Sequence, residues 1–320
     1  MTRKDLVDGS TAYKGRKFDE AEQLFRRAAA RDPQLTTDEG RTAQVFLART
    51  LHSQFIGNRA EPEKAREAIE AYKASLAASV KEYNEAKSDY DKNPGGAAEQ
   101  RHLLSSVSLV NSTASAVPSL YDSLQMPDDA RNWRTQIAAD TNYPNTARAT
   151  AMNSLAARSN TCANEITDTE QVKKTVKRDG KDVYEFVKPQ NPDDLNRLKQ
   201  CVDEGLKLVS DAAGLEPDQV KNAKSLDIKN ASNEQLALYS EMIKPFESSR
   251  SYKASLTIQA MRLAEMEGRI EDRDRLKTEA DNLKAQFTEL SQISRDIQSE
   301  IEARRAAEAE AANANAANKK

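Results

Sequence analysis

The stretch GSTAYKGRKFDEAEQLFRRAAARDP, residues 9–33, decides the fold. Within it Gly9, Ala12, Phe18, Ala21, Phe25, Ala28 and Pro33 follow one another at intervals of 3, 6, 3, 4, 3 and 5. Gly9 and Ala12 share one face of a first helix, and Gly15-Arg16-Lys17 is the turn. Phe18-Asp19-Glu20-Ala21 opens a second helix, which Pro33 stops. Small residues let two antiparallel helices cross closely, and large ones fill the gap to the next pair.

Outward from this hairpin the pattern loosens but persists. Ala48 and Leu51 mark a helix over about 41–55, broken at Gly57-Asn58. Glu61-Pro62 restarts the chain, and Ala65, Ala68, Ile69, Tyr72 and Leu76 give the i, i+3, i+4 stripe of a helix reaching about Tyr90. Asn93-Pro94-Gly95-Gly96 is the clearest break. Leu103, Leu104, Val107 and Val110 then begin a helix that Pro118 is expected to kink or split, and Met126-Pro127 starts its partner, which carries Trp133 and Ile137. A fourth pair runs from Asn145, with Ala149, Met152 and Ala156, to a second helix displaced to 193–215. There Gly205, Val209, Ala212 and Pro217 repeat the 4, 3, 5 spacing of Ala21, Phe25, Ala28 and Pro33. Residues 222–233 read as polar loop, and 235–246 as a short helix ended by Pro245. Tyr252, Leu256, Ala260, Leu263 and Ala264, the turn Glu267-Gly268-Arg269 and then Ile270 suggest a fifth pair.

The one strand-like segment interrupts the fourth pair. Val172 to Val187 centres on Asp179-Gly180, a strong two-residue hairpin signal. That turn sets Lys177 opposite Asp182, Val176 opposite Val183, Lys174 opposite Glu185 and Val172 opposite Val187. An isolated hairpin is marginal in water, so Tyr184 and Phe186 are expected to lie on the helical surface.

The last helix is predicted from Asp272 past Arg304. Leu276, Ala280, Leu283, Phe287 and Leu290 keep heptad spacing, and Ile293, Ile297 and Ile301 continue it after a phase slip. A cap over the last repeat and a coiled coil with a second chain both fit. The tail, 306–320, is rich in Ala, Glu and Asn and is expected to fray. The expected division is thus a repeat domain over 1–271 with the insertion at about 167–191, a long helix over 272–305, and a low-complexity tail.

The first hairpin, over residues 4–33, resembles the tetratricopeptide repeat closely. Residues 41–80, 103–144, 146–217 and 252–285 resemble it in degraded form. The order of a repeat, a loop near Gly57 and a hairpin-interrupted repeat is also similar to that of bacterial envelope-associated repeat proteins. The resemblance implies an all-α solenoid of four to five helix pairs whose concave face binds protein or peptide segments. Chaperone-binding members hold a Lys and an Asn on the first helix; here those positions carry Leu6 and Ser10, which argues against that role.

Composition narrows the function classes. Forty-eight basic against 51 acidic side chains leave a net charge of −3, which argues against general binding to nucleic acids or anionic membranes. No apolar run approaches the length of a membrane span, and the start, Met1-Thr2-Arg3-Lys4-Asp5, turns polar at once, unlike a signal peptide. No phosphate-loop, dinucleotide, zinc-protease or nucleophile-elbow motif is present. Asp128-Asp129 and Asp193-Asp194 follow prolines and read as helix starts, where acids complement the dipole. His52 and His102 read as packing or solvated groups, and Tyr13, Phe18, Phe25, Tyr72 and Trp133 as core packing. No catalytic, cofactor or metal site is expected.

Cys162 and Cys201 sit on the two helices of the fourth pair. A disulfide would close a loop of nearly forty residues, worth about 4 kcal/mol, and would imply a periplasmic or extracellular setting. Two buried thiols in a cytoplasmic protein are the other reading. The functional expectation is a non-catalytic scaffold for a protein or peptide partner. The alternative is a structural subunit that self-assembles end to end, since a solenoid exposes a repeat face at each end.

Ala21→Glu puts a charge at the tight crossing of the first hairpin, where desolvation and overpacking act together. A severe loss of thermal stability is the expected outcome; a variant melting within a degree of the parent would refute this placement.

Overall fold

The computed structural model describes residues 2–317, with side chains through residue 312. Among the described residues the chain is all-α: eleven α-helices, a 3-10 turn at Ala223–Ser225 and one two-stranded sheet. It divides into two compact units, Met1–Ala147 and Arg148–Lys320.

The first unit holds α1 (Thr2–Lys14), α2 (Phe18–Ala29), α3 (Asp38–Gly57), α4 (Pro62–Lys92), α5 (Ala97–Ser123) and α6 (Pro127–Ala139). Each helix packs on the next. Contacting residue numbers on consecutive helices have nearly constant sums, the signature of antiparallel rods: Asp5 with Arg31 and Tyr13 with Phe18 between α1 and α2, and Asp19 with Gln54 and Phe25 with Phe46 between α2 and α3. Between α2 and α4 the differences are nearly constant instead, with Glu22 on Lys64 and Arg26 on Glu67, so these two run parallel. Between α1 and α3, Tyr13 meets both Phe46 and Ser53. One apolar core threads through these helices, including Phe25, Leu51, Phe55, Ile69, Tyr72 and Leu120. Each such large side chain contributes about 1.5–3 kcal/mol when fully buried.

The helix ends follow local chemistry. Pro62, Pro127 and Pro192 occupy first helical positions, where a missing N–H costs nothing. Asp32 locks the turn between α2 and α3, accepting from the backbone N–H and hydroxyl of both Thr36 and Thr37. Thr37 then caps α3 by accepting from Gly40 N. Three helices end in the same way. Lys17 N donates to Ala12 O, Met126 N to Tyr121 O and Arg269 N to Ala264 O, each at 2.9 Å. The residue before each of these donors lies at positive φ: Arg16 at 59°, Gln125 at 59° and Gly268 at 75°. This is a Schellman ending, repeated within the first, third and fifth helix pairs. Gly15, next to Arg16, does not take the left-handed position.

The second unit contains α7 (Asn145–Thr167) apart from its first residues, strands β1 (Lys173–Arg178) and β2 (Lys181–Phe186), α8 (Pro192–Gly214), the short α9 (Asp218–Lys221), α10 (Asn233–Met266) and α11 (Ile270–Ala317). Glu165 pairs with Arg197 and Ser159 faces Gly205, so α7 and α8 are antiparallel. Asn153 meets Ser249, and Asn164 meets Gln259, so α7 and α10 run parallel. Helices α10 and α11 form a long antiparallel hairpin, with Arg250 Nη1 on Gln286 O and Arg304 Nη1 on Asn233 Oδ1. The strand register is Lys174 with Glu185, Val176 with Val183 and Lys177 with Asp182. Asp179 and Gly180, at φ 51° and 76°, make the type I′ turn that two-residue hairpins favour.

Several expectations are corrected. Pro118 does not split α5, which is continuous from Ala97 to Ser123. Proline has no N–H to offer the carbonyl four residues back, and the indole N–H of Trp133 on α6 donates to that carbonyl, Ala114 O, at 3.0 Å. Pro245 does not end a helix either; α10 runs through it, with Ile243 and Phe246 fully buried on its flanks. Packing there outweighs the roughly 3 kcal/mol that an interior proline costs. Of the two hairpin aromatics only Phe186 is buried; Tyr184 is 62% exposed, because its strand has left the helical surface by that point. Within the described residues 306–317 continue α11; Ala and Glu are good helix formers, and extending a helix needs no new nucleus. Residues 318–320 lie outside the described residues.

Trp133→Phe is expected to cost about 1–3 kcal/mol by stranding a buried carbonyl. In a Pro118→Ala background, where residue 118 supplies its own N–H to that carbonyl, the same change costs about 1 kcal/mol less. Urea unfolding of the four members of the cycle measures the coupling; zero coupling would refute the account.

Candidate functional site

The positions that define the repeat pattern are placed as follows. Gly9 on α1 faces Phe25 on α2, and a β-carbon on Gly9 would stand 2.7 Å from Phe25 Cε1. Ala12, Ala21, Phe25 and Ala28 are buried, Phe18 is half-buried and Pro33 is exposed after the end of α2. In the second unit a β-carbon on Gly205 would stand 2.7 Å from Leu256 Cδ2 on α10 and 3.0 Å from Ser159 Cβ on α7. Glycine is needed there because α7, α8 and α10 meet at that point. Val209 and Ala212 are buried one and two turns on, and Pro217 precedes α9. Gly9 and Gly205 mark the close helix crossings, and the buried positions beside them pack those crossings.

Cys162 on α7 and Cys201 on α8 are joined by a disulfide across 39 residues, with their Cα atoms 6.2 Å apart. The loop it closes carries the hairpin. The hairpin base is fixed a second way: Arg262 on α10 stacks over the Phe186 ring with Cζ 4.6 Å from its centroid, and donates to Thr167 Oγ1 at 3.0 Å. Thr167 in turn donates to Gln259 Oε1 at 3.0 Å, so α7, α10 and the hairpin share one buried polar chain.

The strongest candidate for a functional surface lies in the first unit, where α1, α3 and α4 bring Tyr13, Phe46, Arg49, His52, Ser53 and Tyr72 together. Phe46 stacks on Phe25 at 5.3 Å between ring centroids and meets the edge of Tyr13 at 6.1 Å. Arg49 Cζ lies 5.7 Å above the Phe46 ring, and its guanidinium donates to Ser112 Oγ on α5 at 3.4 Å. No carboxylate pairs with Arg49 among the described residues. The Tyr13 and Ser53 hydroxyls lie 3.3 Å apart. His52 Nδ1 is 3.4 Å from the Tyr72 hydroxyl. Burial pushes Tyr72 up to about 12 and draws His52 below its ordinary value, so both are neutral near pH 7. The cluster therefore offers one permanent cation, several hydrogen-bonding hydroxyls and aromatic edges. Tyr72 is only 4% exposed and His52 is half-buried. Phe25 and Tyr72 are core residues, and Tyr13 and Trp133 pack against them, as the sequence reading expected; what that reading did not single out is Arg49, a cation on the same helix face as Phe46 and Ser53.

Beside the turns at Arg16–Phe18 and Asn58–Glu61 lies an open cleft of about 620 Å3. Beneath it Glu22, 13% exposed, accepts from Lys64 Nζ, Gln54 Nε2 and Arg26 Nη2, each at 2.8 Å. Burial raises the Glu22 pKa, but these donors more than offset that and hold the carboxyl below its ordinary range. Among the described residues no group of three or more His, Cys, Asp or Glu side chains is arranged to hold a metal ion, and no helix is long and apolar enough to cross a membrane.

A depressed carboxyl stabilises the folded state above its unfolded pKa and loses that contribution as pH falls through its folded value. Glu22 therefore makes the chain less stable below its ordinary value near 4.5, and Asp32, held low by the hydroxyls and N–H groups of Thr37 and Thr36, acts in the same direction. Urea midpoints at pH 7 and pH 3 are expected to differ less in Glu22→Gln than in the parent. An unchanged difference would show that Glu22 carries none of the acid sensitivity.

The sequence matches no protein-family model and no curated protein, so the functional reading rests on the geometry above.

Proposed function

We propose that this chain is a non-catalytic protein–protein interaction scaffold, built from helix pairs that resemble tetratricopeptide repeats. Its first unit takes a peptide segment of the partner along the parallel row α1, α3 and α5. The observation that carries this reading is Arg49. It is a half-buried cation without a carboxylate, set between an aromatic ring and hydroxyls on three neighbouring helices. A guanidinium in that setting suits a backbone carbonyl or a carboxylate of an incoming chain. Neighbouring Tyr and Phe side chains supply apolar contact at low entropic cost.

A photo-crosslinking residue at Ser112, beside Arg49, tests the proposal, with Arg66 on α4 as the control position. In native extract, a discrete crosslinked partner is expected from position 112 and not from 66, and Arg49→Glu should abolish it. Equal labelling from both positions, or labelling that survives Arg49→Glu, would overturn the assignment.

A second reading, a subunit that assembles with copies of itself, draws on α11. Its Glu308 meets Asn233 at the start of α10, and the helix continues to Ala317. Light scattering across a concentration series separates the two: a mass that climbs with concentration favours self-assembly, and a constant monomer mass favours the scaffold.

A further inference from the structure

The hairpin of the second unit is held at its base and leaves one strand edge open. Val187 N donates to Val172 O at 2.9 Å, which makes 172 and 187 a hydrogen-bonded pair. Pairs alternate in an antiparallel ladder, so the N–H and C=O groups of 173, 175 and 177 point out of β1, and those of 182, 184 and 186 out of β2. The β2 edge is blocked at its base, where Phe186 N donates to Glu265 Oε1 of α10 at 3.4 Å. On β1 only the Lys173 N–H is used, by Thr169 O at 2.8 Å. The outward backbone groups of Thr175 and Lys177 have no partner among the described residues.

This open edge is strongly basic. Lys173, Lys174, Lys177 and Arg178 are four of the six residues of β1, and the strand holds no carboxylate. Lys173 and Lys177 stand on one face and Lys174 and Arg178 on the other. Lys173 is shared between Asp168 at 3.6 Å and the Tyr184 ring at 4.2 Å, and Arg178 reaches Glu185 at 3.6 Å. Lys177, and Lys181 across the turn, have no carboxylate within ion-pair distance among the described residues. Like charge keeps the same edge of a second copy away. An extended acidic segment meets cations on both of its faces while its backbone completes the ladder.

We propose that the β1 edge is a docking site for an acidic, extended peptide segment of another protein, which adds as a third strand beside Thr175 and Lys177. This surface is separate from the Arg49 cluster and does not depend on it. The test uses 15N-labelled full-length protein and four probes: a short peptide alternating Glu and Val, its Lys/Val counterpart, the Glu/Val peptide N-methylated at alternate residues, and a single-stranded oligonucleotide. The Glu/Val peptide is expected to shift the Thr175 and Lys177 amide signals, and added salt should weaken it. The Lys/Val and N-methylated peptides should leave those signals in place. Lys177→Glu with Arg178→Glu should weaken binding about tenfold. Thr175→Pro should abolish it without unfolding the hairpin, because that N–H is outside the ladder. No shift at millimolar Glu/Val peptide, or equal binding of the N-methylated peptide or the oligonucleotide, would overturn the proposal.

Discussion

The close crossing of helices at residues without bulk is the constraint on which both units depend. At Gly9 the α1 backbone lies against the Phe25 ring, and at Gly205 the α8 backbone lies against Leu256 and Ser159. A β-carbon at either point would force the helices apart and open space in a core that tolerates few voids. The consequences spread along the chain. Phe25, seated against Gly9, stacks on Phe46, and Phe46 carries Arg49 above its ring. In the second unit the same logic brings α7 and α8 within reach of the Cys162–Cys201 bond and seats α10 beside both. Side chains that look functional are thus positioned by residues that have almost no side chain.

Local sequence rules carried most of the fold. The spacing of small and large residues located most of the helices, though it divided α10 at Pro245, and Asp179-Gly180 fixed the hairpin register through the handedness of its turn. Where local rules failed, a distant partner decided. Pro118 and Pro245 are helix breakers by their own chemistry, yet Trp133 fills the gap left by the first and burial of Ile243 and Phe246 holds the helix through the second. Tyr184 was placed on the helical surface because an isolated hairpin is marginal in water, but Phe186 alone makes that contact and Tyr184 stays exposed. The positive φ of Arg16 was equally hidden. Gly15 is the obvious candidate for that conformation, and the bonds of Arg16 N to Tyr13 O and Lys17 N to Ala12 O select its neighbour instead.

The candidate surfaces were less legible than the fold, and the reason is physical. A core position is announced by periodicity, whereas a binding position is defined by what it lacks. Arg49 stands out only once its surroundings are known to hold no carboxylate, and the β1 edge only once Glu265 is seen to occupy the other edge. The segment Lys173 to Lys181 was read for its cross-strand register, and that register is present, although Lys177 does not reach Asp182 as an ion pair. Its excess of cations acquired meaning when the backbone groups beside them proved to be open.

Trp133 has one more consequence. It is the chain's single tryptophan, its indole nitrogen is bonded to the Ala114 carbonyl, and the Lys73 ammonium lies 5.9 Å from its ring. Indole emission is sensitive to such a bond and such a charge, so selective excitation of this residue isolates the α5–α6 junction optically. The second unit contains no tryptophan, and its intrinsic fluorescence must come from tyrosines such as Tyr184, Tyr239 and Tyr252. Six of the nine tyrosines lie in the first unit, so tyrosine emission mixes both units, whereas the indole alone follows the melting of the first without any added dye.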